Sequence, residues 1–126
     1  MKIAAHIARV LLGLGMLFFG LNGIHPFIPQ GPMPTGLAGQ FLGAMMQSHY
    51  FVPIAVLMIV GGALLVINRY VPLALVFLAP ILFNIINFHI CMNPGGIVPG
   101  LVFAVLWLVV ACSVRSAFSG LFQRRA

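Results

Sequence analysis

The sequence predicts an all-α integral membrane protein, a four-helix bundle with a short interfacial helix in its first outer loop. Three observations predict this fold class. Apolar residues make up 63% of the chain and charged residues only 5%, which lies far from the composition of a soluble domain. The mean hydropathy is +1.20. The apolar stretches are each about 20 residues long, the length that a helix needs to cross a bilayer, and the 126 residues leave room for four of them in a single domain.

The chain contains no Asp and no Glu, and this excludes several classes of site. Paired carboxylates of glycosidases, calcium sites, carboxylate-bridged di-iron centres and acidic proton relays all need these side chains. The four histidines and two cysteines are the side chains that can titrate near neutrality. Any chemistry at this pH would therefore depend on imidazole or thiol groups.

The first predicted span covers residues 3–24, where Lys2, His6 and Arg9 begin a long apolar run. No small-x-small cleavage signal follows, so this segment is predicted to be a retained helix and not a signal peptide. A loop rich in Pro and Gly starts at Pro26. Residues 36–48 carry apolar side chains at helical spacing but are too few to cross, which predicts an interfacial helix.

The other three spans are predicted at residues 50–68, 70–92 and 97–115. The turn at Asn68 and Arg69 is so short that the second and third spans should be antiparallel neighbours. Pro80 lies inside the third span, where it removes one backbone hydrogen bond and frees the carbonyl of Val76. Small residues let membrane helices approach closely, and the first two spans carry five glycines predicted to do so: Gly13, Gly15, Gly20, Gly61 and Gly62.

All Lys and Arg residues lie at the two ends of the chain or in the middle turn. The positive-inside rule therefore places both termini and this turn on the cytoplasmic side. Nucleic acid is not predicted as a partner, because the charges form no patch interleaved with aromatic residues. Without acidic side chains, the cations are predicted to pair with anionic lipids or a partner subunit; they are Lys2, Arg9, Arg69, Arg115, Arg124 and Arg125.

Three histidines are predicted to gather at the outer rim, because His25, His49 and His89 lie near the outer ends of spans one, two and three. Imidazoles at one depth could bind a metal, ligate haem in pairs or hydrogen-bond a quinone headgroup. Each could instead be an interfacial side chain satisfied by water or headgroups. No closely spaced pair such as His-x3-His exists, so no metal ligand is assigned and haem is disfavoured. No catalytic residue is assigned either.

Polar residues are concentrated in the last third of the third span. Asn84 and Asn87 are three residues apart and share one helix face, with Cys91 a turn further along. Because an amide in hydrocarbon needs a partner, this face is predicted to point into the bundle, toward Asn22 or a ligand. Together with His89, the two asparagines are candidates for contact with a quinone or lipid headgroup.

Two stretches carry a resemblance to a known family: ARVLLGLGMLFFGLN at 8–22, and GGALLVINRYVPLAL at 61–75 with APILFNIINFH at 79–89. On these stretches the chain resembles the DoxX/DoxD-like family of small four-helix bacterial membrane proteins. The resemblance implies a multi-pass protein of the bacterial inner membrane. It also implies an association with redox enzymes, among them those of quinone-linked thiosulfate oxidation. Relatives often carry an acidic residue about a turn before the Gly-Gly pair, where this chain has Met58, which argues against inherited proton-coupled chemistry.

The sequence leaves three functions open. The favoured one is a small non-catalytic subunit beside a larger redox or energy-converting membrane complex, because the chain has neither carboxylates nor a cofactor motif. The alternative is a quinone-reactive oxidoreductase subunit in which Asn84, Asn87 and His89 position the headgroup. Small-solute transport is the second alternative. No cofactor is assigned, although a quinone would fit.

Overall fold

The computed structural model describes residues 2–27 and 32–125. These residues form helices and connections, without strands. They include five α-helices: α1 (Lys2–Ile24), α2 (Gly36–Gln47), α3 (Phe51–Ile67), α4 (Val71–Met92) and α5 (Ile97–Ser113). A 3₁₀ turn precedes α5 at Pro94–Gly96, and a 3₁₀ segment follows it at Arg115–Phe122. Residues 28–31 of the predicted Pro-rich loop lie outside the described residues.

Three helical segments of the described chain are long and apolar enough to cross a membrane: α1, α4 and the segment Pro94–Ser113. A fourth is obtained when α2 and α3, which are bent by 82° relative to each other, are taken as one span. By itself α3 has 17 residues, which is about 25 Å of helix against a hydrocarbon core of about 30 Å. It ends one residue before the predicted limit because Asn68 adopts the left-handed conformation, with φ 59°.

The corner between α2 and α3 is formed at His49, which has φ 60°. A non-glycine residue in this region is strained unless its surroundings hold it there. Here the Ser48 hydroxyl accepts the Tyr50 N–H at 3.2 Å, and the His49 carbonyl accepts the Val52 N–H at 3.2 Å. The chain therefore turns sharply out of the short α2 and into α3.

The four longer helices pack in the order α1, α3, α4, α5, and α5 closes the arrangement by packing against α1. The neighbours are antiparallel. The indole Nε1 of Trp107 in α5 donates to the carbonyl of Leu75 in α4 at 3.0 Å, whereas the start of α5 at Gly100 lies beside Ile85. One end of the packed helices therefore holds the start of α1, the Asn68–Tyr70 turn and the end of α5.

The backbones of α1 and α3 meet at glycines. A Cβ added at Gly62 would lie 2.7 Å from the carbonyl oxygen of Gly13 and 2.9 Å from the backbone nitrogen of Leu17. A Cβ added at Gly20 would lie 3.0 Å from the carbonyl oxygen of Ala55. These distances confirm the predicted close approach, because no side chain fits between the two helices at these points.

The core lies where the four helices face one another. Met58 is buried in it. Leu75 and Leu78 of α4 are fully buried beside it. Other buried members of the core come from all four helices, and they include Leu12, Met16, Leu65, Ala74 and Val110.

We predict that Gly62→Ala destabilises the folded protein, because its methyl group would meet the Gly13 carbonyl oxygen. Overpacking of this kind costs about 1–3 kcal/mol, and thermal unfolding in detergent should show a lowered midpoint. The matched control is Gly43→Ala in α2, where an added Cβ meets nothing within 4 Å and where alanine favours a helix by up to about 1 kcal/mol. Equal midpoints for the two variants would contradict the backbone contact.

Candidate functional site

Asn84 and Asn87 lie on the outward face of α4, so the prediction that they point into the bundle is wrong. Both side chains are exposed. The Asn84 Nδ2 donates to the carbonyl of Pro80 at 2.8 Å, and the Asn87 Oδ1 accepts the thiol of Cys91 at 3.6 Å. Within residues 2–27 and 32–125, each amide therefore has one partner, and that partner belongs to its own helix.

The reason for this orientation is the apolar stripe on the opposite side of α4. The buried residues of this helix recur at helical spacing and so lie on one side of it. A helix buries the side whose side chains pack most closely against the neighbouring helices. The stripe consists of Val71, Ala74, Leu75, Leu78, Ile81 and Leu82. Continued by 3.6 residues per turn, it reaches Ile85 and His89, which are half-buried, and it leaves the two asparagines outside.

His89 sits in the last turn of α4 and faces the start of α5. Its Nδ1 lies 2.8 Å from the carbonyl oxygen of Ile85, and because a carbonyl oxygen only accepts, Nδ1 carries the proton of this bond. The remaining ring nitrogen, Nε2, lies beside Gly96, where an added Cβ would come within 3.1 Å of it. The imidazole is thus held by its own helix and by the 3₁₀ turn that follows.

His25 and His49 lie at the same end of the helices as His89. His25 follows α1 directly, and His49 precedes α3, whose Phe51 packs against Gly23 of α1. Both imidazoles are exposed. In residues 2–27 and 32–125 no three His, Cys, Asp or Glu side chains come together closely enough to hold a metal ion. The histidines therefore share one end of the fold without converging on one point.

An aromatic contact ties α2 to this end. The rings of Phe41 in α2 and Phe88 in α4 are stacked with centroids 5.5 Å apart, and the rings of Phe88 and His89 form a T-shaped pair with centroids 5.1 Å apart. The short α2 therefore lies beside the end of α4 that carries His89. Sequence reasoning did not predict the contact between Phe41 and Phe88, because it joins two helices far apart in the chain.

Asn22 is a buried polar residue with a local structural role. Its side chain is 9% exposed, and its Oδ1 accepts the backbone N–H of Phe27 at 3.1 Å. The sequence paired Asn22 with the asparagines of α4, which the outward position of Asn84 and Asn87 excludes. The bond instead closes the chain over the end of α1, immediately before the Pro-rich loop.

Arg9 has a partner inside the chain, although the sequence assigned it to lipid or another subunit. Its Nη1 donates to the carbonyls of Leu65 and Val66 in the last turn of α3, the second at 3.3 Å. Orphan carbonyls and the negative end of the helix dipole both favour a cation there. Its Nη2 lies 3.5 Å from Nδ1 of His6. Arg9 therefore caps α3 across the α1–α3 contact.

The chain after α5 is amphipathic. The segment Arg115–Phe122 packs Phe118 against the core but exposes Leu121 and Phe122, the latter by 84%. Arg124 and Arg125 follow and are exposed. Apolar and cationic side chains are therefore exposed together at the end of the fold that also carries Lys2 and Arg69.

The chain matches no protein-family model, no curated protein and no solved structure. The resemblance drawn from residues 8–22, 61–75 and 79–89 therefore stays a prediction.

We predict that Asn22 matters for the fold of the single chain and that Asn84 does not. Asn22→Leu leaves the Phe27 N–H without its acceptor, and losing this partly buried hydrogen bond costs about 0.5–1.5 kcal/mol. Asn84→Leu removes an exposed amide whose only bond to a described residue is with the Pro80 carbonyl of its own helix, and exposed changes of this kind stay within about 0.5 kcal/mol. Thermal unfolding of both variants in detergent, at a concentration where the protein is monomeric, measures the difference. An equal loss for Asn84→Leu would show that its amide does pair inside the fold.

Proposed function

We propose that the chain is an integral membrane protein that crosses the bilayer four times as a four-helix bundle, with both termini cytoplasmic. The antiparallel path of α3 along α1, from Arg9 at one end to Gly23 at the other, supports a crossing by α3. The bend of 82° between α2 and α3 supports an interfacial position for α2.

Charge supports the orientation. The antiparallel packing brings all six cations to the end of the helices opposite His25, His49 and His89, which matches the positive-inside pattern. In the absence of acidic side chains, lipid phosphates are the natural counter-ions of the exposed cations at this end, while the guanidinium of Arg9 rests on helix carbonyls. The membrane would then be the inner membrane of a bacterium, as the family resemblance implies.

In this membrane the chain acts as a small non-catalytic subunit, packed beside larger subunits of a redox or energy-converting complex, as in the DoxX/DoxD-like family it resembles. One observation carries this proposal: α4 is long enough to span the membrane and exposes Asn84 and Asn87 on its outward face. An amide gains nothing from hydrocarbon, whereas polar side chains on membrane helices hydrogen-bond to neighbouring helices. The exposed amides therefore favour another protein helix as the neighbour of α4.

The geometry does not favour the quinone-reactive alternative. At 100° per residue, His89 projects about 140° away from Asn84 and about 160° away from Asn87 around α4. The Nδ1–H of His89 is also used by the Ile85 carbonyl. The three side chains assigned to a quinone headgroup thus do not face one position. No feature of the described residues favours solute transport.

Labelling of single cysteines with a membrane-impermeant maleimide would test the four crossings, in a background with Cys91→Ala and Cys112→Ala. We expect Ser48→Cys to react on intact cells. Ile67→Cys and Ser119→Cys should react only after the membrane is opened. All three positions are exposed, but residue 48 lies at the proposed outer end of the helices and residues 67 and 119 lie at the proposed cytoplasmic end. Reaction of Ile67→Cys on intact cells would show that α3 does not cross and would leave three spans.

Purification of the tagged chain in a mild detergent would test the role as a subunit. We expect larger membrane proteins to co-purify in a fixed ratio, and Asn87→Leu to reduce their recovery while leaving the amount of the chain in the membrane unchanged. Stoichiometric quinone in an extract of the purified chain alone would support the alternative instead. The matched control is Asn84→Ser, which keeps a polar group on the same face of α4 and should therefore leave the recovery of the larger proteins closer to that of the unchanged chain.

A further inference from the structure

The segment after α5 exposes large apolar side chains outside every candidate span. Leu121 is 70% exposed, and Phe122, at 84%, has the largest exposed fraction among the large apolar side chains of the described residues. Both lie beyond Pro94–Ser113, the last helical segment long and apolar enough to cross a membrane. The hydrocarbon around the spans therefore does not account for them, and an exposed apolar pair bordered by charge indicates a surface that contacts a partner.

This segment is held close to the end of the helices. Phe118 packs against the core, and Leu121 and Phe122 follow it by three and four residues, which is about 6–8 Å along a 3₁₀ helix. Between them, the Ser119 hydroxyl donates to the Ser116 carbonyl at 3.0 Å. The exposed pair therefore stays near the level at which α5 ends.

Cations follow the apolar pair directly. Arg124 and Arg125 are exposed, and the chain has no Asp or Glu that could pair with either. An anionic membrane surface strengthens binding by about fivefold for each Lys or Arg near it. An acidic protein surface would supply the counter-charge but not hydrocarbon at the level where a span ends. A bilayer surface supplies both, as it does for amphipathic segments that lie in the interface.

We propose that the segment Arg115–Phe122 and the two arginines after it bind the surface of the cytoplasmic leaflet. Leu121 and Phe122 lie at the boundary of headgroups and acyl chains, and Arg124 and Arg125 bind the phosphates of anionic phospholipids. The inference rests on the proposed function, because α5 must cross the membrane to bring the segment to this level. It goes beyond that function by assigning the segment as a lipid-binding anchor.

The anchor restrains α5, the least enclosed of the four longer helices. Gly100 and Val110 are the buried residues of α5, whereas α4 buries six residues and α3 buries five. Membrane helices associate through van der Waals contact, so a helix with little buried surface is held by less contact with its neighbours. Binding at the membrane surface directly after α5 therefore adds a restraint on the depth and tilt of this helix.

Spin labelling of the full chain in vesicles tests the anchor. The label is attached to Leu121→Cys in a Cys91→Ala and Cys112→Ala background, and its collisions with oxygen and with a water-soluble nickel chelate separate lipid-inserted from water-exposed populations. The vesicles contain phosphatidylcholine alone or equal parts of phosphatidylcholine and phosphatidylglycerol in both leaflets, so the direction of insertion does not affect the result. We expect the inserted fraction to rise with phosphatidylglycerol. A label at Ile67→Cys, at the same end of the helices, should be unaffected by lipid charge.

Variants separate the contributions of charge and apolar surface. In vesicles with phosphatidylglycerol, Arg124→Gln with Arg125→Gln should lower the ratio of inserted to water-exposed label about 25-fold, which is about fivefold for each cation. Phe122→Ser should lower it about tenfold, because a large apolar side chain no longer enters the lipid. The matched control, Lys2→Gln with Arg69→Gln, removes two cations from the same end and should leave the ratio unchanged. All five side chains are exposed, so these changes leave the core intact.

The outcomes that overturn the anchor differ from those that overturn the crossings. A label at residue 121 that stays in water in both kinds of vesicle, while Ile67→Cys remains protected on intact cells, would overturn the anchor and leave the four crossings standing. Equal insertion with and without phosphatidylglycerol would overturn the role of anionic lipid. An equal loss in the Lys2 and Arg69 control would overturn the assignment to Arg124 and Arg125. Exclusion of water from residue 121 only when larger membrane proteins are added would give the surface to a protein and overturn lipid binding.

Discussion

The close contact between the α1 and α3 backbones at Gly13 and Gly62 is the constraint on which the rest of the fold depends. Between membrane helices there is no hydrophobic driving force, so van der Waals contact and hydrogen bonds must hold them together. The glycines permit that contact and also fix its register, because backbone atoms meet with no side chain between them. At that register Arg9 reaches the last carbonyls of α3, and Phe51 meets Gly23 at the other end.

The polar side chains enclosed by the helices use backbone groups as partners. The guanidinium of Arg9 and the indole of Trp107 each donate to a carbonyl of a neighbouring helix. Asn22 accepts from the N–H of Phe27, and His89 donates to the Ile85 carbonyl of its own helix. Backbone partners fix geometry without creating a reactive pair, although the Nε of Arg9 is buried with no hydrogen-bond partner among the described residues. These four residues therefore act as structural links.

The helices were predictable from the sequence to within two residues at each end, because span length, Pro and Gly are local signals. The close approach of the glycines was predictable for the same reason.

The direction of Asn84 and Asn87 was not predictable. Every face of a membrane helix is apolar, so the spacing of apolar residues alone does not separate the buried side of the helix from the exposed side. The orientation of α4 was decided by its apolar stripe, which includes Ala74 and Leu78 and packs against the neighbouring helices. Likewise, a sequence without acidic residues suggests no partner for Arg9 within the chain, because composition does not reveal that the carbonyls at the end of a distant helix lie beside it.

In the proposed membrane arrangement, the same packing limits which faces of the chain can contact another protein. Small-residue stripes are a common means by which membrane helices associate, but Gly13, Gly20 and Gly62 are already enclosed by the α1–α3 contact. They are therefore not available to a second protein. Beyond that contact, the outward faces of the described helices are mainly apolar in their central parts, and α4 also exposes the amides of Asn84 and Asn87. Lateral specificity needs directional bonds as well as apolar area, and the exposed amides of Asn84 and Asn87 add hydrogen-bonding groups to the apolar outward face of α4.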